Sequence, residues 1–321
     1  MNVFILAAGL GTRFKPLTLK MPKPTIPFLN VPMGYYNFRF LKSIESQIDT
    51  LVANTHHLPD QVEKLYANQN FIRIKAQFSN ESPIILGTAG GIKKASGLFK
   101  KGEPILVMNA DEIILTQNDG FLKDALAQHQ KNDALATLVV MKHEEVGKKF
   151  GAIVAKDRSV KNIVVPKDFA KATEDASLKA WHYPGIIILS WEVINLINSQ
   201  QEQNIFYDIL INHLDRVQIF PIEADWFETG NQADFLKATE FVLNKLQQHP
   251  LDEKYKYVLN FVNQVDPSRL IHNEKTLSLV SLASKVNEKY LAGFNTIAAT
   301  AKIENATGLK NCVAFNDEKL T

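Results

Sequence analysis

Two glycines, two cations and a carboxylate at the end of an apolar run carry most of the chemistry visible in this 321-residue chain. Gly9 and Gly11 follow the apolar run Phe4 to Ala8 and lead into Thr12 and Arg13, and Lys23 stands between Pro22 and Pro24. Glycine tolerates positive φ and lets the backbone approach a ligand closely. Successive N–H groups in such a turn make a concavity for anions. Arg13 adds planar, forked donors that match phosphate oxygens, and Lys23 adds a compact point charge. Strand, glycine turn, Arg and a proline-stiffened Lys together read as a grip for a triphosphate. The spacing is neither a Walker loop nor the dinucleotide fingerprint, because Gly11 is followed by Thr12-Arg13-Phe14 with no third glycine.

Two further stretches have chemical potential. Leu86-Gly87-Thr88-Ala89-Gly90-Gly91 has too many glycines for a good helix interior. It suits backbone that lies against a flat ring or a sugar and then starts a helix. Pro104 to Asn109 reads as a buried strand that ends in Asn109-Ala110-Asp111-Glu112. A carboxylate at a strand's C-terminal end points into the ligand crevice of an α/β sheet, and hard oxygen ligands suit Mg²⁺ together with substrate phosphates. Side-chain alternation predicts that Glu112 points away from Asp111.

The string Gly9 to Arg13, then Pro16-Leu17-Thr18, then Pro22-Lys23-Pro24 resembles the signature of the nucleoside-diphosphate-sugar pyrophosphorylases, or sugar-1-phosphate nucleotidyltransferases. The closest likeness is to mannose-1-phosphate guanylyltransferase-like and N-acetylmuramate-1-phosphate uridylyltransferase-like members. The resemblance implies an enzyme of the EC 2.7.7 class that joins a sugar 1-phosphate to a nucleoside triphosphate with Mg²⁺. It implies catalytic roles for Arg13, Lys23 and Asp111. Nucleotide contacts would fall on Leu6, Ala8, Gly9, Gly11, Thr12, Leu86, Gly87 and Thr88, and sugar contacts on Asn109, Gly151 and Gly185. Phe150 to Val154 resembles the family's Y-G-V-V strand, and Gly185 opens a run like its sugar-side strand. Where the family reads W-x-D-V-G-T, this chain has Trp226-Phe227-Glu228-Thr229-Gly230, so Glu228 takes the place of the second metal ligand beside Asp111. The family's E-K-P triplet is replaced by Val164-Val165-Pro166-Lys167. These departures leave a second reading open, a nucleotide-sugar-binding regulatory paralogue without activity.

The elements that must position these residues alternate between strand and helix, which predicts an α/β domain with a Rossmann-like mixed sheet over residues 1–246. Phe235, Ala238, Val242 and Leu246 repeat at helical spacing, and Asn231 can cap that helix. A helical connector follows over 247–277. From about residue 278, Leu291, Ile297, Ile303, Leu309 and Phe315 recur every six residues, with Ala301, Thr307 and Val313 as small or branched companions. A period of six marks hexapeptide repeats that wind a parallel β-helix; the resemblance implies a short C-terminal left-handed one, expected either to dock on the catalytic domain or to pair with another copy of the chain.

Composition bounds the rest. A formal net charge of +2 gives no bulk field for nucleic acid or an anionic membrane. The single cysteine excludes an intrachain disulfide, and no apolar window reaches membrane-span length. The opening run reads as a strand and not as a signal peptide, so a cytoplasmic location is expected. The base and the sugar stay open.

Overall fold

The computed structural model of the chain describes residues 1–198, 202–303, 308–316 and 319–320. At its centre lies a ten-stranded mixed sheet. Its strands are β1 (Asn2–Leu6), β2 (Thr50–Thr55), β3 (Ala76–Asn80), β4 (Ile105–Asn109), β6 (Ala136–Val140), β7 (Ala152–Lys156), β8 (Ser159–Val164), β9 (Lys179–Trp181), β10 (Ile186–Leu189) and β11 (Val217–Pro221). A short strand β5 (Ile113–Leu115) lies outside it. Across the sheet the order is β9-β7-β8-β11-β6-β10-β4-β1-β2-β3. β1 runs parallel to both β2 and β4, whereas β10 is antiparallel to β4 and β6.

β1 sits inside the parallel half, with Val3 and Phe4 fully buried on opposite faces. That double burial is why its sequence is a continuous apolar run and does not alternate. One face packs against the helices α2 (Pro59–Ala67) and α4 (Phe121–Lys131), and the other against α3 (Gly87–Ala95). The C-terminal ends of β1, β2 and β4 therefore open onto one crevice.

β5 pairs antiparallel with β12 (Asp225–Phe227), register Phe227 to Ile113 and Asp225 to Leu115. This two-stranded ribbon brings residue 228 back to the end of β4, across more than a hundred residues of chain. Beyond it runs α5 (Gln232–Gln248), with Asn231 Oδ1 accepting from Asp234 N at 3.0 Å as its cap. α6 (Glu253–Val265) follows and packs with α5 on Phe28 and Tyr36 in a third core, to which α6 contributes Phe261.

The tail forms a four-stranded sheet of β13 (Ser268–His272), β14 (Thr276–Ser281), β15 (Leu291–Ile297) and β16 (Leu309–Ala314). β13 and β14 make an antiparallel pair, while β14, β15 and β16 are parallel. Partners such as Leu291 and Leu309, or Thr276 and Gly293, are 18 or 17 residues apart. Leu291, Ile297, Ala301 and Leu309 share one buried cluster, whereas Val313 and Phe315 pack against the third core. Thr307 falls outside the described residues. No described helix is long and apolar enough to cross a membrane.

Ahead of β2 the chain forms the short helix α1 (Phe38–Lys42) between 3₁₀ turns, and after β10 it forms a π turn, Ile205–Ile209, followed by 3₁₀ turns.

Candidate active site

A cavity of about 390 Å³ opens at the ends of β1, β2 and β4. Leu6, Ala8, Gly9, Gly11, Thr12, Arg13, Lys23, Gly87, Thr88, Asn109 and Asp111 line it, as do Asn54, Glu81 and Gly230. Gly11 has φ +59°, and a Cβ there would meet Thr18 Cγ2 at 2.7 Å. Thr18 is buried and donates from Oγ1 to the Gly11 carbonyl at 2.9 Å. His57 Nε2 lies 2.5 Å from the Thr18 carbonyl. The turn is thus clamped from the side opposite the cavity, which leaves Arg13 free to project: its side chain is 70 % exposed.

Lys23 reaches across the cavity to Asp111, Nζ to Oδ2 at 2.6 Å, with its own side chain only 12 % exposed. Arg13 Nη1 stands 4.0 Å from Glu228 Oε1. Glu228 turns that same oxygen onto the Gly230 amide at 2.7 Å. Thr229 Oγ1 donates to the Asp111 carbonyl at 3.0 Å, so the segments carrying the two carboxylates are stitched directly to each other. Each carboxylate keeps one oxygen, Asp111 Oδ1 and Glu228 Oε2, with no hydrogen bond among the described residues. Asp111 lies on the cavity wall, whereas Glu228 stands off it beside Arg13 and Gly230, and two acids with oxygens to spare fit a Mg²⁺ ion that would take its other ligands from phosphates and water.

Glu112 is not on the cavity wall that Asp111 lines, in keeping with strand alternation. It lies beneath Asn109 and accepts from Asn109 Nδ2 at 3.1 Å and from Trp226 Nε1 at 2.6 Å. The ribbon carrying Trp226 supplies the donor that strand alternation alone did not foresee. Burial, and secondarily the charge of Asp111, push the Glu112 carboxyl up to about 7. Gly185, at φ +88°, gives Asn109 and Glu112 room, since a Cβ there would meet Asn109 Nδ2 and Glu112 Cγ at 2.8 Å. Gly185 thus supports Asn109 from behind and is not itself part of the cavity wall.

The expected sugar residues divide. Asn109 lines the main cavity, whereas Gly151 lines a second one of about 320 Å³ with Lys149, His182, Tyr183 and Tyr207. His182 packs on Trp226 with ring centroids 4.2 Å apart, and burial pushes its imidazole down to about 4. Lys167 lies in the 3₁₀ turn Pro166–Asp168 and lines neither cavity. Leu86 is not on the wall of the main cavity, although Gly87 and Thr88 are. Sequence reasoning passed over Asn54 and gave Glu81 no role. Their signal was weak: single polar residues in otherwise apolar or loop surroundings.

The family described as Nucleotidyl transferase matches residues 2–245. Among curated relatives, mannose-1-phosphate guanyltransferase of Aspergillus oryzae is 31 % identical over 286 residues, which covers 84 % of this chain and 73 % of that protein. Among solved structures, UDP-glucose pyrophosphorylase of Acinetobacter baumanii superposes with a TM-score of 0.61 at 17 % identity, over 81 % of this chain and 99 % of the other. HddC of Yersinia pseudotuberculosis, complexed with GMP-PN, gives 0.57 at 23 % identity, over 75 % and 98 %. These last two likenesses bear on the fold.

Proposed function

This chain belongs to the nucleotidyl transferase family, and from that membership we propose that it joins a sugar 1-phosphate to a nucleoside triphosphate, giving a nucleoside-diphosphate sugar and pyrophosphate. One observation carries the reading: a glycine turn, Arg13 and Lys23 line one cavity with a strand-end acid, Asp111, to which Lys23 is bonded. In this account a phosphate oxygen of the sugar 1-phosphate attacks the α-phosphorus, and the bond to the β-phosphate oxygen breaks. The attacking group is already anionic, so no general base is needed. Catalysis then rests on positioning and on stabilising charge in a preorganised site.

Each residue has a role that its surroundings support. Amides of the turn Gly9 to Thr12 and the Arg13 guanidinium hold the β and γ phosphates and receive the charge of departing pyrophosphate. Lys23 neutralises the α-phosphate and the attacking phosphate, exchanging its bond to Asp111 for bonds to them. Leu6, Ala8, Gly87 and Thr88 border the nucleotide, with Leu86 as the hinge of that loop. Asn109 meets the sugar, and Gly151 marks the wall of the second cavity where a sugar substituent would lie. Asp111 and Glu228 would hold Mg²⁺, which when bound supplies charge neutralisation between phosphate oxygens. The regulatory reading gains no support from this geometry, because Arg13, Lys23 and Asp111 line one cavity and Glu228, itself off the cavity wall, stands beside Arg13.

The catalytic unit is taken as residues 1–246; of the span 247–277 expected as a helical connector, only the end of α5 and Glu253–Val265 are α-helical, and from Ser268 the chain already forms strands of the tail sheet. The parallel spacing of 17 or 18 residues in the tail supports a turn of hexapeptide β-helix, with its left hand and an association of copies as part of the same proposal. The proposal extends to a cytoplasmic protein acting on free nucleotides.

The test is pyrophosphate release by purified protein with Mg²⁺, each of the four common triphosphates and a panel of hexose and heptose 1-phosphates. GTP with mannose 1-phosphate is the first pair, given the guanyltransferase relatives. Release that needs both substrates supports the reading; none with any pair refutes it.

A further inference from the structure

We propose that Asn54 and Glu81 form a buried strut that couples the polyphosphate turn to the loop facing the base, so that the two ends of a nucleoside triphosphate are gripped together. The inference rests on the function proposed above. Asn54 Oδ1 accepts from the amides of Ala7 and Ala8 at 2.6 and 3.2 Å, immediately before Gly9. Asn54 Nδ2 donates to Glu81 Oε1 at 2.7 Å, and Glu81 Oε2 accepts from the Leu86 amide at 2.9 Å, immediately before Gly87. Asn54 is 3 % and Glu81 1 % exposed, and both line the cavity. Among the described residues no cation pairs with Glu81. Its carboxylate is held by neutral donors alone, a costly arrangement unless its position matters. Gly91 belongs to the same device: a Cβ there would meet Glu81 Oε1 at 2.5 Å.

The polarity of the strut is fixed end to end. Two backbone donors at one end demand the amide oxygen of Asn54, so its NH₂ must face an acceptor. The Leu86 amide at the other end demands an acceptor too, and only a group that accepts on both sides fits between them. Glutamate does; glutamine does not. Exchanging the acid and amide groups between the two positions restores the pattern. An aspartate in place of Asn54 would accept from the Ala7 and Ala8 amides and from the NH₂ of a glutamine in place of Glu81. The oxygen of that glutamine would accept from Leu86. Both are positioning residues, acting through backbone they hold.

Asn54→Asp, Glu81→Gln and the double variant are compared with wild type by steady-state kinetics on whichever substrate pair releases pyrophosphate. Each single substitution is expected to raise KM for the triphosphate roughly tenfold or more, from one charge-assisted hydrogen bond lost, while KM for the sugar 1-phosphate changes less than about twofold. The double variant is expected to return to within about threefold of wild type, a rescue that general loss of packing cannot give. In Glu81→Gln, affinity for inorganic tripolyphosphate, which has no base end, should stay within about threefold of wild type by the same reasoning. A double variant no better than the worse single, or wild-type kinetics in Glu81→Gln, overturns the strut. If the single variants do not fold, hydrogen exchange on wild type decides. Tripolyphosphate should slow exchange in residues 84–90 as well as 7–13, and slowing confined to 7–13 overturns the proposal. A wild type that turns over no triphosphate overturns the functional reading and the strut with it, whereas normal turnover with an indifferent Glu81→Gln overturns the strut alone.

Discussion

Replacing Gly11 by alanine isolates what shapes the polyphosphate turn. The residue sits at φ +59°, where an added Cβ costs about 1–2 kcal/mol for an L-amino acid. That Cβ would also lie 2.7 Å from Thr18 Cγ2 and 3.3 Å from Thr18 Cβ, and overpacking of this kind costs about 1–3 kcal/mol. Gly11→Ala should therefore destabilise by roughly 2–5 kcal/mol, the sum of those two effects. Thr18→Ser deletes the clashing methyl but keeps the hydroxyl that donates to the Gly11 carbonyl. Alone it should cost about 1 kcal/mol for a buried methyl. Denaturant titration of wild type, both single variants and the double variant forms a thermodynamic cycle. The double variant should be more stable than additivity allows by at least about 1 kcal/mol, because only the overpacking is relieved and the φ strain remains. Additivity within about 0.5 kcal/mol would show that Thr18 does not confine the turn, and the clamp described here would be wrong.

Other perturbations follow from the same geometry. Arg13→Ala and Asp111→Ala should each lower kcat/KM by roughly 10²-fold or more, the scale of losing one charge-stabilising group, with the circular dichroism spectrum unchanged. A near-normal rate in either variant would remove its assigned role. Stripping divalent ions with a chelator should stop pyrophosphate release, and added Mg²⁺ should restore it; full activity in excess chelator would strike out the paired acids as a metal site. Stability should fall on acidification through His129 and His182, whose burial lowers each imidazole to about 4. Between pH 6.5 and 4 the unfolded chain takes up two imidazole protons that the folded chain refuses, and the Glu112 carboxyl, raised to about 7, offsets one of them, so these three groups together make stability rise with pH across that window. Each histidine contributes at most roughly 3 kcal/mol to the loss below about pH 4. His129→Asn should lower the slope of stability against pH between about pH 4.5 and 6.5 by roughly one proton's worth, since it removes one imidazole that protonates only on unfolding. An unchanged slope would refute the assignment.

Much of the site is legible in residue order because it is local. Gly9 to Arg13 and Pro22 to Pro24 bring their own backbone constraints, and the cavity forms where β1 ends. Asp111 is legible because a strand end is visible as the close of an apolar run. The partner of Glu112 is not, since Trp226 reaches it from a ribbon that joins it across the fold. Asn54 and Glu81 are illegible for a similar reason: a buried polar residue shows its purpose only when its partners are known. Gly151 and Gly185 look equivalent in sequence as glycines beside strands. In three dimensions one borders a separate cavity and the other makes room for Asn109 and Glu112. The tail's six-residue period reports burial of Leu291, Ile297 and Leu309, but it does not reveal that Val313 and Phe315 pack on the third core, which is built largely by α5 and α6.

The measurement closest to the central claim is a co-crystal structure with a non-hydrolysable nucleoside triphosphate and Mg²⁺. The β and γ phosphates should lie within hydrogen-bond reach of the turn amides Gly9 to Thr12 and of Arg13, with the ion between Asp111 and Glu228. A ligand seated elsewhere, or phosphates that leave the glycine turn untouched, would contradict the account.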